Sequence, residues 1–145
     1  HVSVWLVRDA NRRIFGFALT KQHSNYMELK LICTHKRKGE GAKLFRDILN
    51  HTREINTELR LEAVNPRVAK VYAREANELG HIIYIDDRDM THLSKKRLHD
   101  AIDQISSMIP MRFTPPGMTL PRTSSMSVHS YKAMMRRLQE SDDDD

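Results

Sequence analysis

A basic segment with two glycines, residues 36–41, combines residue types that could bind a phosphate. A glycine turn that opens a helix leaves backbone N–H groups unpaired at the positive end of the helix dipole. Glycine also lets a ligand approach that backbone closely. The nearby basic residues are Lys36, Arg37, Lys38 and Lys43. The segment therefore predicts an anion site, although the same residues also fit an ordinary solvated turn.

Known phosphate loops narrow the choice of ligand. A Walker-type loop starting at Gly39 would need its second glycine five residues later, where Leu44 stands. A dinucleotide-binding fingerprint would need its third glycine at the same Leu44. We therefore expect a pyrophosphate or a similar anion, held by backbone amides.

The segment is positioned by a strand before it, Tyr26–Thr34, and by a helix after it, Gly41–Thr57. Two earlier β-rich runs, Val2–Val7 and Ile14–Leu19, are joined to that strand by short polar links. The three strands predict an antiparallel meander. Gly16, inside the second strand, predicts a bulge or a close backbone approach.

The second half of the chain continues with a strand at Leu59–Val64, which should lie parallel to the strand before the first helix. Asn65 is a favourable N-cap for a second helix, and Gly80 ends that helix. Three further elements are predicted: a strand at His81–Asp86, a helix at Met90–Met108 and a short strand at Met111–Thr114. The pattern predicts an α/β fold with a mixed, largely antiparallel central sheet and flanking helices.

The composition describes one globular domain with a tail. Of the 145 residues, 39% are hydrophobic and 30% are charged, and the net charge of +5 suits an anionic ligand. We expect a domain over residues 1–114, then an extended linker, a short helix and an acidic end over 115–145 that could bind a protein partner. The sequence contains no apolar run of membrane-spanning length, and its histidines lack metal-ligand spacing. Cys33 is the only cysteine, so we expect a reducing compartment, the cytoplasm or alternatively the nucleus.

Two motifs in this order resemble the GCN5-related N-acetyltransferase (GNAT) family. After its fourth strand the family has glutamine or arginine, two residues, glycine, one residue, then glycine or alanine; residues 36–41 match, with lysine at the first position. After the fifth strand the family often has an asparagine and, seven residues later, a tyrosine, as Asn65 and Tyr72 are here.

The resemblance covers roughly residues 2–85 and implies an acetyl-CoA N-acyltransferase-like fold. It departs from the family in lacking the usual N-terminal strand and the two helices that floor the acceptor site. Gly80 comes about one helical turn late, and the chain from Met90 onward does not follow the usual ending.

The resemblance implies that acetyl-CoA is the cosubstrate, with no metal. The edge of the strand at residues 31–33 would pair with the pantetheine arm, and the amides of residues 38–42 would hold the pyrophosphate. Lys43 and Arg46 could meet the remaining phosphate. The cofactor-binding residues expected in this way are Leu31, Ile32, Cys33, Lys36, Arg37, Lys38, Gly39, Glu40, Gly41, Ala42, Lys43, Asn65 and Tyr72.

The reaction implied is acetyl transfer to an amine by direct attack on the thioester. Tyr72 matches the family's proton donor to the departing thiolate, and its other reading is a tyrosine packed against the sheet. Glu28 is the candidate base, although many members carry a glutamate at the position of Asn25. His35 and Glu62 are other candidates. The acceptor could be a protein or a small molecule, and Cys33 is expected to be a small buried core residue.

Two other functions remain open. A non-catalytic acetyltransferase-like interaction module fits the missing N-terminal elements and the tail. Nucleic-acid binding through the basic surface ranks below both, because only 6% of residues are aromatic and none interleave with the basic segment.

Overall fold

In the residues that the structure describes, the fold consists of a seven-stranded sheet and three helices. The computed structural model describes residues 1–34 and 39–117. The strands are β1 (Val2–Arg8), β2 (Ile14–Gln22), β3 (Tyr26–Thr34), β4 (Glu58–Ala63), β5 (Ile82–Ile85), β6 (Arg88–Asp89) and β7 (Ile109–Thr114). The helices are α1 (Glu40–Glu54), α2 (Pro66–Glu78) and α3 (Lys95–Asp103). The order of strands in the sheet is β1-β2-β3-β4-β7-β5-β6.

The predicted antiparallel meander is confirmed in β1, β2 and β3. Val7 pairs with Gly16 and Arg8 with Ile14, so the intervening Phe15 forms a bulge. Gly16 also allows a close approach, because a Cβ on it would lie 2.8 Å from the Cγ2 of Thr34. Both alternatives that the glycine predicted are therefore present.

The predicted parallel strand pair is also confirmed, but it is short. β3 and β4 pair only from Tyr26 opposite Glu58 to Glu28 opposite Arg60. β4 continues its ladder on the other side with β7, down to Ala63 opposite Ile109. The two parallel strands therefore diverge after Glu28, and β3 alone continues toward α1.

One face of the sheet is covered by all three helices. α1 contacts β2, β3 and β4 as well as α2, and α2 contacts α3. The core lies between these helices and the sheet, where Phe45, Ile48 and Phe113 are fully buried. In the part of the chain that the structure describes, no helix covers the opposite face, which we call the open face.

Three sequence predictions for the second half were wrong in detail. α3 begins only at Lys95, because the Ser94 hydroxyl caps it by accepting from the N–H of Arg97, and it ends well before Met108. Arg88 and Asp89, just before the predicted helix start at Met90, form the short strand β6, which the sequence did not predict. β7 begins at Ile109 rather than Met111, and it inserts between β4 and β5. Residues 118–145, with the predicted linker and short helix, lie outside the described residues.

Candidate functional site

The start of α1 offers backbone donors, as the glycine segment predicted. Gly39 is the N-cap with a φ of 86°, in the left-handed region that favours glycine. The first helical hydrogen bond runs from the N–H of Lys43 to the carbonyl of Gly39. The N–H groups of Glu40, Gly41 and Ala42 precede it, and no side chain of residues 1–34 or 39–117 caps them. They form a group of donors suited to an anion.

The basic part of the predicted loop is outside the part of the chain that the structure describes. Lys36, Arg37 and Lys38, together with the alternative base His35, lie outside the described residues. Lys43 is described and exposed on the first turn of α1, where it lines a cavity against Arg8 of β1.

A cleft opens between β3 and β4 where the two strands diverge. Its volume is about 140 Å³, room for about five waters. Its lining includes residues 29–32 of β3, 61–64 at the end of β4, and Val68 and Tyr72 of α2. Because the ladder with β4 ends at Glu28, the β3 edge beyond it has no strand partner on that side among the described residues. That edge is available to an extended ligand.

Tyr72 lies in this cleft, on the side of the helices. Its ring packs on Phe45 with 4.3 Å between ring centroids, and 7% of the residue is exposed. Burial, helped by the nearby Cys33 thiol, raises the pKa of Tyr72 to about 12. The hydroxyl therefore stays protonated at neutral pH and can donate a hydrogen bond into the cleft.

Cys33 was expected to be a buried core residue, and this was wrong. It is exposed, because it pairs with Phe17 on the open face of the meander. Leu31 is also on that face and is 43% exposed, whereas Ile32 turns toward the core. The predicted pantetheine-binding stretch therefore has a side chain on each face of the sheet.

Asn65 has the capping role that the sequence predicted. Its Oδ1 accepts from the N–H of Val68 at 2.9 Å, and Asn65 is not among the residues that line the cleft. Arg46, the other candidate for a phosphate, is paired with two carboxylates of α2. It donates to the buried carboxylate of Glu75 and to Glu78, and the hydrogen bond to Glu75 raises the pKa of Arg46. That residue joins α1 to α2 instead.

A larger cavity of about 530 Å³ lies on the open face of the sheet. Its polar lining includes Glu28, Arg60, Glu62 and Arg112. It shares four residues with the cleft: Leu29, Lys30, Leu61 and Glu62. The divergence of β3 and β4 thus brings two cavities, one on each face of the sheet, to the same opening.

Glu28 lines the larger cavity and has a partner that the sequence did not indicate. The Nε2 of His23 lies 2.9 Å from its Oε1. The His23 side chain is 10% exposed and stacks on Tyr26 at 4.5 Å between centroids. His23 lies in the short polar link between β2 and β3, and no local signal in the sequence reveals that this link folds back onto β3. The alternative base Glu62 is exposed and lines both cavities.

Two arginines form the floor of the larger cavity and were also missed. Arg60 and Arg112 each donate to Glu58, at 3.0 and 3.1 Å. Arg112 stacks over Tyr84, with 4.4 Å from its guanidinium carbon to the ring centroid. These residues face the same side because β4 and β7 place Arg60 directly opposite Arg112. The alternation of side chains between the two faces of each strand could have been read from the sequence. The pairing of β4 with β7 could not.

Two absences were found within residues 1–34 and 39–117. None of the helices there is long and apolar enough to cross a membrane. In the same residues, no three His, Cys, Asp or Glu side chains come together as a metal site requires.

The sequence matches no family model and no curated protein, but solved structures share its fold. Tetrahymena GCN5 matches with a TM-score of 0.52 and 11% identity, over 80% of this chain and 70% of that chain. A candidate acetyltransferase from Agrobacterium tumefaciens has a TM-score of 0.48 and 11% identity, over 78% and 72% of the two chains. A candidate acetyltransferase of the GNAT family from Bacteroides thetaiotaomicron has a TM-score of 0.43 and 14% identity, over 94% and 70%. The likeness to Tetrahymena GCN5 confirms the predicted acetyltransferase-like fold.

Proposed function

We propose that this chain is an acetyl-CoA-dependent N-acetyltransferase. One observation carries the proposal: the opening between β3 and β4 joins a cleft lined by β3, the end of β4 and α2 to a polar cavity on the other face. A thioester entering from one face and an amine entering from the other would meet at this opening. The fold shared with GCN5 supports the same reading.

The fit of acetyl-CoA rests on three features of the chain. The N–H groups of Glu40, Gly41 and Ala42 can hold a pyrophosphate without competing with a described side chain. The β3 edge from Leu29, unpaired with any described strand on that side, can hydrogen-bond an extended pantetheine arm, and a backbone N–H there can polarise a carbonyl. The 140 Å³ cleft accommodates only the end of such an arm, so a thioester bound there would lie close to Tyr72.

The transfer forms a C–N bond and breaks a C–S bond, so the leaving sulfur becomes a thiolate. Tyr72, with its pKa raised to about 12, is a weaker acid than a thiol of pKa ~8.5. Complete proton transfer from Tyr72 would therefore be uphill by roughly 5 kcal/mol. The role that fits is a hydrogen bond donated to the sulfur, with the proton that neutralises the thiolate coming ultimately from the amine.

The amine must lose a proton before or during attack, and Glu28 is our proposed base. Glu28 lines the larger cavity on the open face, the side from which the amine would enter, and it is the last residue before β3 and β4 diverge. His23 holds its carboxylate in place. Glu62 is the competing candidate because it lines both cavities. Replacing each of them by glutamine distinguishes the two candidates. Only loss of the residue that acts as the base should change how the rate depends on pH.

A non-catalytic interaction module is the second candidate, and the exposed apolar side chains of the open face favour it. Val4, Leu6 and Phe17 are between 36% and 60% exposed. Such a surface is typical of a protein contact.

The proposed acetyltransferase activity is tested by measuring the release of free thiol from acetyl-CoA. The acceptors are a panel of diamines and of peptides that bear an N-terminal or lysine amine. We expect thiol release matched by a gain of one acetyl group on the amine. Glu28→Gln should lower the rate about 100-fold, whereas Glu54→Gln, an exposed change at the far end of α1, should not. Binding of acetyl-CoA without turnover of any amine would favour the module, and absence of binding would remove the enzyme proposal altogether.

A further inference from the structure

The open face of the meander carries an apolar patch with no cover among the described residues. Its members are Val2, Val4, Leu6, Phe17 and Leu31. Register places them together: Leu6 lies opposite Phe17, and Val4 opposite Leu19, which in turn lies opposite Leu31. Each of the five is at least 36% exposed. We call this set the meander patch.

The patch is confined to one half of the open face. The other half, on β4, β7 and β5, presents Arg60, Glu62, Arg112 and Tyr84 around the polar cavity. The three described helices lie on the opposite side of the sheet, so none of them can cover the patch. A sheet with one apolar face left bare normally gains a second layer.

The chain after Gly117 carries a matching apolar stripe. Residues at spacings of three and four within 128–138 are apolar, the pattern of a helix with one apolar face. They are Val128, Tyr131, Met134, Met135 and Leu138. Eleven helical residues are about 16 Å long, close to the length of the patch along β1.

The point where the described chain ends puts this stripe within reach. Phe113, near the end of β7, lies opposite Leu59, and Leu59 lies opposite Met27. Met27 lies opposite Gln22, whose N–H bonds to the carbonyl of His1. β7 therefore ends in the same row in which β1 begins, four strand spacings or about 19 Å away. Residues 118–127, if extended, span up to about 33 Å.

We propose that residues 128–138 form a helix that docks on the meander patch of the same chain. The area also favours this occupant over a second copy. The patch presents roughly 400 Å², which one short helix can cover, whereas a stable dimer buries roughly 800 Å² per partner. This proposal does not depend on acetyl transfer.

Hydrogen exchange of the full chain, measured peptide by peptide by mass spectrometry, tests the docking. Amides of 128–138 are expected to exchange at least about 10-fold more slowly than in a free peptide, independent of protein concentration. The double variant Val4→Glu/Leu6→Glu should abolish that protection while amides of α1 and β7 stay protected. Ile55→Glu is the matched control, because Ile55 is 46% exposed at the end of α1, away from the patch.

Changes in the segment itself keep the test valid if the patch variant is unstable. Met135→Asp/Leu138→Asp should abolish the protection, and Ala133→Asp, on the opposite side of the expected helix, should not. Three results overturn the proposal: free-peptide exchange rates in the unmodified chain, protection that survives the patch variant, or protection lost on dilution. The last result would assign the patch to a second copy.

Discussion

The side chain of His81 should make this fold sensitive to mild acid. His81 precedes β5, is 1% exposed, and neither ring nitrogen has a hydrogen-bond partner among the described residues. Burial, followed by the charge of Arg53, lowers the pKa of His81 to about 4. The ordinary value near 6.5 applies to the unfolded chain.

The sign of the effect follows from which state binds the proton more tightly. Between pH 6.5 and pH 4 the unfolded chain is protonated at this site and the folded chain is not. The stability due to His81 is therefore complete above pH 6.5, falls as the pH drops toward 4, and levels off below that. A difference of about 2.5 pKa units corresponds to about 3 kcal/mol, a large part of the stability of a typical domain.

Urea unfolding at pH 7 and pH 4.5 measures this loss. Replacing the imidazole by an apolar side chain of similar volume, His81→Leu, should reduce the difference between the two pH values by about 2.5 kcal/mol. It should also raise stability at pH 7, since no polar ring remains buried without a partner. His92→Gln, at an exposed histidine, is the matched control and should leave the pH dependence unchanged. Equal pH dependence in the unmodified chain and in His81→Leu would refute the reasoning.

Three further changes test the site and its supports. Tyr72→Phe should lower kcat about 10- to 100-fold by removing a hydrogen bond to the leaving sulfur, and should change the free energy of unfolding by less than about 0.5 kcal/mol; an unchanged kcat would contradict that role. Gly16→Ala should lower stability by about 1–3 kcal/mol and weaken acetyl-CoA binding, because the new methyl displaces Thr34 beside the α1 N-terminus; unchanged values of both would show that the strand end is not constrained there. Arg46→Met should lower the urea midpoint with the m-value unchanged, because it removes the main partner of the buried Glu75; an equal midpoint would mean that Arg74 suffices.

The elements nearest the predicted site could be read from the sequence because local signals define them. The glycines around α1, the Asn65–Pro66 start of α2 and the Gly80 stop each act over a few residues. Alternating strands with short links leave few arrangements other than a meander. The choice of Tyr72 as a candidate site residue came from the family resemblance and not from spacing alone.

The remaining features depend on contacts between distant segments. β7 lies between β4 and β5 although it is last in the chain, and no local pattern states which strands it joins. The Arg60–Glu58–Arg112 cluster follows from that insertion and was missed with it. The exposure of Cys33 was misjudged because a short apolar strand reads the same whether one or both faces are covered.

The most direct test of the central claim is a calorimetric titration with acetyl-CoA of the unmodified chain, Gly39→Ala and Gly80→Ala. Both glycines have positive φ, 86° and 74°, and open space around a new methyl, so both substitutions cause similar backbone strain. Only Gly39 stands at the donors of α1. We expect binding in the unmodified chain, retained in Gly80→Ala and weakened at least about 10-fold in Gly39→Ala. Absence of binding in the unmodified chain, or equal affinity in all three proteins, would contradict the account.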